Sequence, residues 1–364
     1  MIVTAMRPPH APVTNECSFL FEPGVLWSRL QLSVNARGGG MRFGVGLFSL
    51  QCTAMQPRHW TGAYRDMREL AVLMEELGYD ELWLSEHHFF YDGYCPALLP
   101  AAASVLSITE RLRVGTGMLL LPMYDPERLA ALATDLTVRS RGRFDLGVGM
   151  GYRDVEFDGH GVSRKQRMPR MVTGLDVLEA AEADGGAPIW MGAQLVEPVK
   201  RAGLRGHPLL FSAALPFERC RTLTKVWEDG WAQSGRPESQ RPALGALRNI
   251  WLTEDQRERE AARDWVRASY VQYAGLGWTL PAVGDHQQQD YAAQTDKAIA
   301  DTVETTITGS ADECIKQLRQ FDEVGIRHIA FRLILDGEPR PALESQLRRL
   351  ADKVLPRLRD RVAA

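Results

Sequence analysis

The chain has 364 residues, 45% apolar and 24% charged, with 43 basic against 46 acidic side chains and a net charge of −3. Such a length suits one large α/β domain or two ordinary ones. The near-neutral balance argues against a nucleic-acid or anionic-membrane surface, and the composition excludes collagen, coiled coil and wholesale disorder. Cys17, Cys52, Cys95, Cys220 and Cys314 form no close pair, so neither a disulfide framework nor a cysteine zinc site is expected. That usage fits a reducing cytoplasm. No run approaches the roughly 18 apolar residues that span a bilayer, and prolines and Glu16 interrupt the start where a signal peptide needs an apolar run. The expectation is a cytoplasmic protein with no membrane and no nucleic-acid partner.

Residues 1–40 are Pro-rich, then apolar around Val25–Trp27, then end in Arg37-Gly38-Gly39-Gly40. They are expected to form a loosely ordered extension, with a single domain spanning 41–364. From Met41 the chain alternates. Residues 42–48 read as a strand. Residues 62–77 place Tyr64, Met67, Leu70, Ala71, Met74 and Leu77 at helical steps, and Gly78 stands in C-cap position. Strands at 81–84, 112–121, 143–148, 188–191, 209–212, 244–252 and 328–335 follow. Helices at 98–109, 126–139, 172–182, 196–203, 216–233, 254–270, 311–324 and 341–360 lie between and after them. Eight apolar strands, each followed by helical sequence, predict a parallel sheet buried on both faces. Eight such units close into a (β/α)8 TIM barrel. The excess length is expected in an irregular loop insertion near 270–300. A doubly wound sheet is the structural rival, but no G-x-G-x-x-G follows the first strand.

In a barrel, chemistry sits at the C-terminal ends of the strands. Strand two ends in Ser85-Glu86-His87-His88-Phe89-Phe90, two imidazoles and a carboxylate that need partners if buried. Adjacent strand residues point to opposite faces, so His87 and His88 do not readily share a metal. Strand four ends in Gly147-Val148-Gly149-Met150-Gly151-Tyr152, whose glycines allow close approach of a flat or anionic ligand. Beyond it, Asp154, Glu156, Asp158 and His160 recur at two-residue steps. Extended, they would share a face and could bind a divalent cation; the plainer reading, a solvated loop, is preferred.

Five strings in register resemble the bacterial luciferase-like family of flavin-dependent monooxygenases. They are MRFGVGLFSLQ, LGYDELWLSEHHF, RLRVGTGMLLLPMYDPERLA, GRFDLGVGMGYRDVEF and, near the end, VETTITGSADECIKQL with LADKVLPRLR. The resemblance covers about 41–360. It implies a TIM barrel binding reduced FMN at the C-terminal face, or in some branches the deazaflavin coenzyme, and oxygenating a small organic substrate with O2. The Glu-His-His-Phe form of the second motif is more typical of the FMN branch. The resemblance makes His87 the catalytic, proton-handling residue, with Glu86 and His88 in support. It places Gly117, Met118, Gly149, Met150, Gly151 and Tyr152 around the flavin, with Gln194 nearby. It also implies a non-prolyl cis peptide at Gly117–Met118, a separate reductase supplying reduced flavin, and a homodimer.

Two departures stand out. Met150 occupies the position of a phosphate-gripping Arg, and Leu195 that of a phosphate-contacting Ser. Arg153, Arg164 and Arg167 are the nearest stand-ins. Residues 181–186 also replace a longer, strand-containing segment. Three alternatives stay open: a deazaflavin-dependent oxidoreductase; a non-catalytic flavin-binding paralogue, which these departures motivate; and a metal-dependent hydrolase using Asp154, Glu156 and His160.

Overall fold

The computed structural model describes residues 40–48, 50–51, 60–90, 94–275, 291–333 and 340–359, all within the compact unit Asn35–Ala364. The expectation for the N-terminal extension falls outside them.

Strand β1 (Arg42–Phe48) leads to helix α1 (Trp60–Glu76), whose buried Ala63, Met67, Leu70, Ala71 and Met74 form the stripe foreseen from the sequence. Gly78 ends that helix with φ of +80°, a conformation that costs glycine nothing. Next come β2 (Glu81–Leu84), α2 (Leu98–Leu106), β3 (Arg113–Thr116), β4 (Leu119–Leu120), α3 (Pro126–Arg139), β5 (Phe144–Gly149), α4 (Asp154–Gly159) and α5 (Arg167–Ala183). They are followed by β6 (Ile189–Met191), α6 (Val196–Arg205), β7 (Leu210–Phe211), α7 (Phe217–Gln233), β8 (Leu244–Leu252) and α8 (Gln256–Gly275). Helix α9 (Tyr291–Glu304), β9 (Ile307–Gly309), α10 (Ala311–Glu323), β10 (Ile326–Arg332), α11 (Arg340–Lys353) and α12 (Leu355–Arg359) complete the order. Helix α3 starts with Asp125 accepting from Arg128 N–H and Pro126 in its first turn. Helix α10 starts with a capping box between Ser310 and Glu313.

All strand pairs are parallel. β1 lies between β2 and β10; β2 pairs with β3, β3 with β5, β5 with β6, β7 with β8 and β8 with β10. A parallel bridge between Met191 and Leu209 joins β6 to β7, so the neighbours run in a ring from β1 back to β1, as in a TIM barrel.

Three sequence expectations are corrected. The strand predicted at 112–121 is two strands, separated by the cis bond Gly117–Met118. The stretch read as irregular contains helix α9 and precedes β9, which pairs with the extended end of β8; residues 276–290 lie outside the described set. Residues 154–159, expected as a solvated loop, are helical.

Strand alternation sets the barrel interior. Its N-terminal layer is ionic. His328 Nδ1 meets Glu81 Oε1 at 2.6 Å, and Arg113 makes a two-pronged contact with Asp145 at 2.8 and 2.9 Å. Burial pushes the Glu81 carboxyl up, but His328 and Arg42 outweigh it and hold it at about 2. The next layer is aromatic and aliphatic: Trp83 and Trp190 meet edge to face at 5.3 Å, with Leu210, Leu247 and Ala330 around them. The remaining core lies between the strands and the helices outside.

Candidate functional site

Beyond the C-terminal end of β2 the chain turns outward through Ser85, Glu86, His87 and His88. Ser85 Oγ lies 2.7 Å from Tyr94 Oη. Glu86 is buried, and its Oε1 accepts from His88 Nε2 at 2.5 Å and from the Tyr124 hydroxyl. Its other oxygen accepts from Leu120 N–H at 2.8 Å. Glu86 and His88 therefore satisfy one another and tie β2 to the backbone just past Met118. The same two strand ends meet directly, Gly117 N–H donating to Leu84 O at 2.6 Å.

His87 is turned to a different carboxylate. Its Nδ1 lies 2.8 Å from Glu156 Oε1 on α4, and the same oxygen accepts from His88 N–H at 2.9 Å. Arg153 adds a contact at 3.6 Å, donates to His88 O at 3.1 Å and lies over the Phe90 ring at 3.9 Å. Glu156 has no exposed surface. Burial pushes its carboxyl up, but the hydrogen bond and charge of His87, the His88 amide and Arg153 outweigh that and hold it below the usual carboxylate range. A carboxylate at Nδ1 accepts the proton there and leaves Nε2 as the available ring nitrogen. The Tyr152 hydroxyl lies 3.4 Å from that Nε2. Phe90 and Tyr94 flank the imidazole at 5.1 and 4.8 Å between ring centres.

The floor beside this dyad is built from glycine. A Cβ on Gly149 would stand 3.1 Å from Met118 Cβ, one on Gly192 2.6 Å from Met118 Cγ, and one on Gly147 1.9 Å from Thr116 O. Met118 thus seats its side chain in a space that any larger residue on β5 or after β6 would fill. Leu120 pairs with Gly149 in register, so Gly117, Met118, Gly149 and His87 belong to adjoining strand ends. Gly151, with φ of +73°, turns the chain so that Tyr152 reaches His87. Met150 and Gln194 are half-buried and Leu195 is exposed.

Of the three candidate cations, Arg153 is committed to the histidine network and Arg164 pairs with Asp154 at 2.8 Å; Arg167 is half-buried at the start of α5. Asp154, Asp158 and His160 are exposed, as a solvated segment requires, but Asp154 and Asp158 stand on a helix rather than a loop, and Glu156 is buried. Among the described residues no group of three or more His, Cys, Asp or Glu is placed to hold a metal ion. Sequence reasoning missed Glu156 as the partner of His87, and Tyr94, Tyr124 and Arg153 with it.

The model of the luciferase-like monooxygenase family matches residues 41–328. The chain is 27% identical to 4-hydroxyprotoasukamycin monooxygenase of Streptomyces nodosus subsp. asukaensis over 332 residues, 81% of this chain and 86% of that protein. It is 24% identical to the F420-dependent glucose-6-phosphate dehydrogenase of Beutenbergia cavernae over 82% of this chain and 95% of that one. A match to the uncharacterized protein y4vJ of Sinorhizobium fredii, 37% identical, covers 31% of this chain and 32% of that protein. The fold superposes on the oxygenating constituent of 3,6-diketocamphane monooxygenase from Pseudomonas putida, a type II Baeyer–Villiger monooxygenase solved with FMN, with a TM-score of 0.69 at 15% identity over 87% of this chain and 98% of that one. With an eight-unit parallel barrel and a family match over most of its length, the chain belongs to the luciferase-like monooxygenase family.

Proposed function

We propose that the protein is a flavin-dependent monooxygenase that uses reduced FMN and O2 to oxygenate a small organic substrate. The observation that supports this most is the Glu156–His87 dyad, a buried carboxylate and a sparsely exposed imidazole at the edge of the glycine floor under Met118. The floor suits a flat ring: backbone and Met118 are what such a ring would meet, and a Cβ at Gly149 or Gly192 would disturb it. Gly117, Met118, Gly149, Met150, Gly151 and Tyr152 would line the flavin, with Gln194 nearby. At the phosphate end, Met150 and Leu195 offer no charge, so the fit is to the ring rather than to the phosphate.

Bound reduced flavin would supply the electrons and activate the oxygen. The work left to the chain is to hold a proton at His87 Nε2 and deliver or accept it there. Glu156 fixes the opposite nitrogen as donor, which holds the ring's orientation through the cycle. Phe90 and Tyr94 limit water around the imidazole. Glu86 and His88 act in support, by anchoring β2 to Leu120. Reduced flavin would come from a separate reductase, and the working unit would be a homodimer.

A second reading, a deazaflavin-dependent oxidoreductase, draws on Met150 and Leu195 and on the similarity to an F420-dependent dehydrogenase. Anaerobic titration with photoreduced FMN and, separately, with reduced F420, each followed by admission of oxygen under stopped-flow absorbance, separates the two. Saturable FMN binding with rapid oxygen consumption supports the monooxygenase. Binding of F420 alone selects the second reading, and binding without oxygen consumption or substrate reduction selects a non-catalytic relative.

A further inference from the structure

Glu156 has two basic neighbours, and both meet the same oxygen. Its Oε1 lies 2.8 Å from His87 Nδ1 and 3.6 Å from the Arg153 guanidinium, while its Oε2 has no hydrogen-bond partner among the described residues. Local sequence brings Arg153 there. It is the residue before α4, and Glu156 is the third residue of that helix, a spacing that sets the two side chains together. The loop after β2 then holds the guanidinium, which donates to His88 O at 3.1 Å and lies 3.9 Å over the Phe90 ring. The Arg153 side chain is 9% exposed and that of Glu156 not at all. Among the described residues no other Lys or Arg pairs with this carboxylate.

A guanidinium keeps its proton throughout the range in which proteins are folded. The Glu156 carboxyl, held below the usual carboxylate range, is charged as well. Arg153 and Glu156 therefore cancel before His87 is counted. Burying a lone carboxylate is costly, and without Arg153 a proton on the His87 imidazole would relieve that cost. The pair would then stand as a fixed imidazolium and carboxylate, and a proton so held is poorly given up. With Arg153 in place, a proton taken by His87 instead adds net positive charge to a largely buried cluster, which favours its release.

Other titratable groups face the pair without supplying that charge. Tyr94 and Tyr152 flank the imidazole. Glu86 is taken by His88 and Tyr124. Asp154, paired with Arg164, and Asp158 stand exposed on α4. Burial and His88 hold the exposed His160 imidazole below its ordinary value, so it brings a charge only at lower pH.

We propose that Arg153 is a positioning residue for proton transfer: by balancing Glu156 it leaves His87 able to gain and lose its proton instead of locking it in a buried ion pair. The inference deepens the monooxygenase reading and rests on it for the reaction that the proton serves. The charge relation itself belongs to the chain without flavin.

The test therefore starts with the full chain free of flavin, its histidines labelled with nitrogen-15 and titrated by NMR, with His87 assigned from its absence in His87→Ala. Arg153→Gln keeps a donor for His88 O and removes the charge. Its His87 midpoint is expected about one pH unit or more above that of wild type, and Arg153→Lys should restore most of the difference. With reduced FMN, the pH profile of oxygen consumption should move the same way in Arg153→Gln and return in Arg153→Lys. Circular dichroism checks that each variant folds. If Arg153→Gln alone does not fold, Glu156→Gln is compared with Glu156→Gln carrying Arg153→Gln, where the midpoint should again be higher without the guanidinium. An unmoved or lowered midpoint on loss of the guanidinium, or a folded Arg153→Lys that restores nothing, would overturn the proposal. No flavin is present in the NMR titration, so its failure is distinct from a failure of the FMN titration.

Discussion

His87 and Glu156, 69 residues apart in sequence, meet through Nδ1 and Oε1 at 2.8 Å. One carboxylate oxygen thereby fixes both the imidazole of His87 and the backbone amide of His88. The ring is oriented by a helix that belongs to another βα unit, so its position depends on the barrel rather than on its own loop.

Replacing His87 with Ala should reduce flavin-dependent oxygen consumption by roughly 10²–10⁴-fold, the range for loss of a general acid–base group. The thermal midpoint should fall as well, because the substitution takes the imidazole partner from the buried Glu156 carboxylate; circular dichroism checks that the variant still folds. Glu156→Gln should cost less than this and should displace the pH profile, since the amide presents no charge to Nδ1. Undiminished turnover in His87→Ala would remove the assignment.

Glu156 also makes stability depend on pH. Its carboxyl is held below its ordinary value in the folded state, so it stabilises fully above the unfolded value of about 4.3. That contribution disappears as pH falls through the folded value. Urea midpoints of wild type and Glu156→Gln should therefore differ most near pH 7 and converge as the pH is lowered below 4. A difference independent of pH would mean that packing, not charge, is what the substitution changes.

Glu81 gives a second, deeper case. With its carboxyl held at about 2 against His328, its contribution should be lost between roughly pH 4.3 and 2. Glu81→Ala removes the acceptor of the His328 and Trp83 ring N–H groups, and a buried donor left unmatched costs about 1–3 kcal/mol, so stability in urea denaturation at pH 7 should fall by at least that amount. Glu81→Ala with His328→Leu should recover part of it, because the unmatched imidazole is then gone.

The glycine floor predicts two separable effects. Gly147→Ala drives a Cβ to 1.9 Å from a backbone oxygen and should destabilise the fold by a few kcal/mol. Gly149→Ala meets Met118 at 3.1 Å and should fold, but bind reduced flavin at least tenfold more weakly in the anaerobic titration.

If the phosphate end is short of charge, restoring it should strengthen binding. Met150→Arg combined with Leu195→Ser is expected to tighten FMN at least tenfold while leaving riboflavin affinity nearly unchanged. An equal gain for both would place the effect at the ring instead.

Much of the barrel was legible because its signals are local: apolar strands with breakers, helical stripes such as Ala63–Met74, and caps such as Asp125 and Ser310. Strand ends pointed to His87 for the same reason. What escaped depended on distance or on a choice between two periods. Asp154–His160 fits a period of two as well as a helical turn, and it is the burial of Glu156 against the histidine loop and of Phe157 against Leu120 and Met123 that selects the helix. The break at Gly117–Met118 was expected from the resemblance alone; composition and spacing read through it as one strand. Most of helix α9 fell in the stretch expected to be irregular, and β9 was not foreseen, because no clean apolar stripe marks them.

The pairing of β1 with β10, from Arg42 opposite His328 to Val45 opposite Phe331, has a consequence for how this protein is made. At typical synthesis rates of about 5–20 residues per second, roughly 15–60 s separate the appearance of one strand from the other. Throughout that interval β1 is an edge, open to pairing with any other exposed strand. Glu81 meanwhile waits for His328, its hydrogen-bond partner at 2.6 Å. The slowest contacts to form are thus the ones that join the two ends of the domain, and the nascent chain is most in need of a chaperone while it is nearly complete.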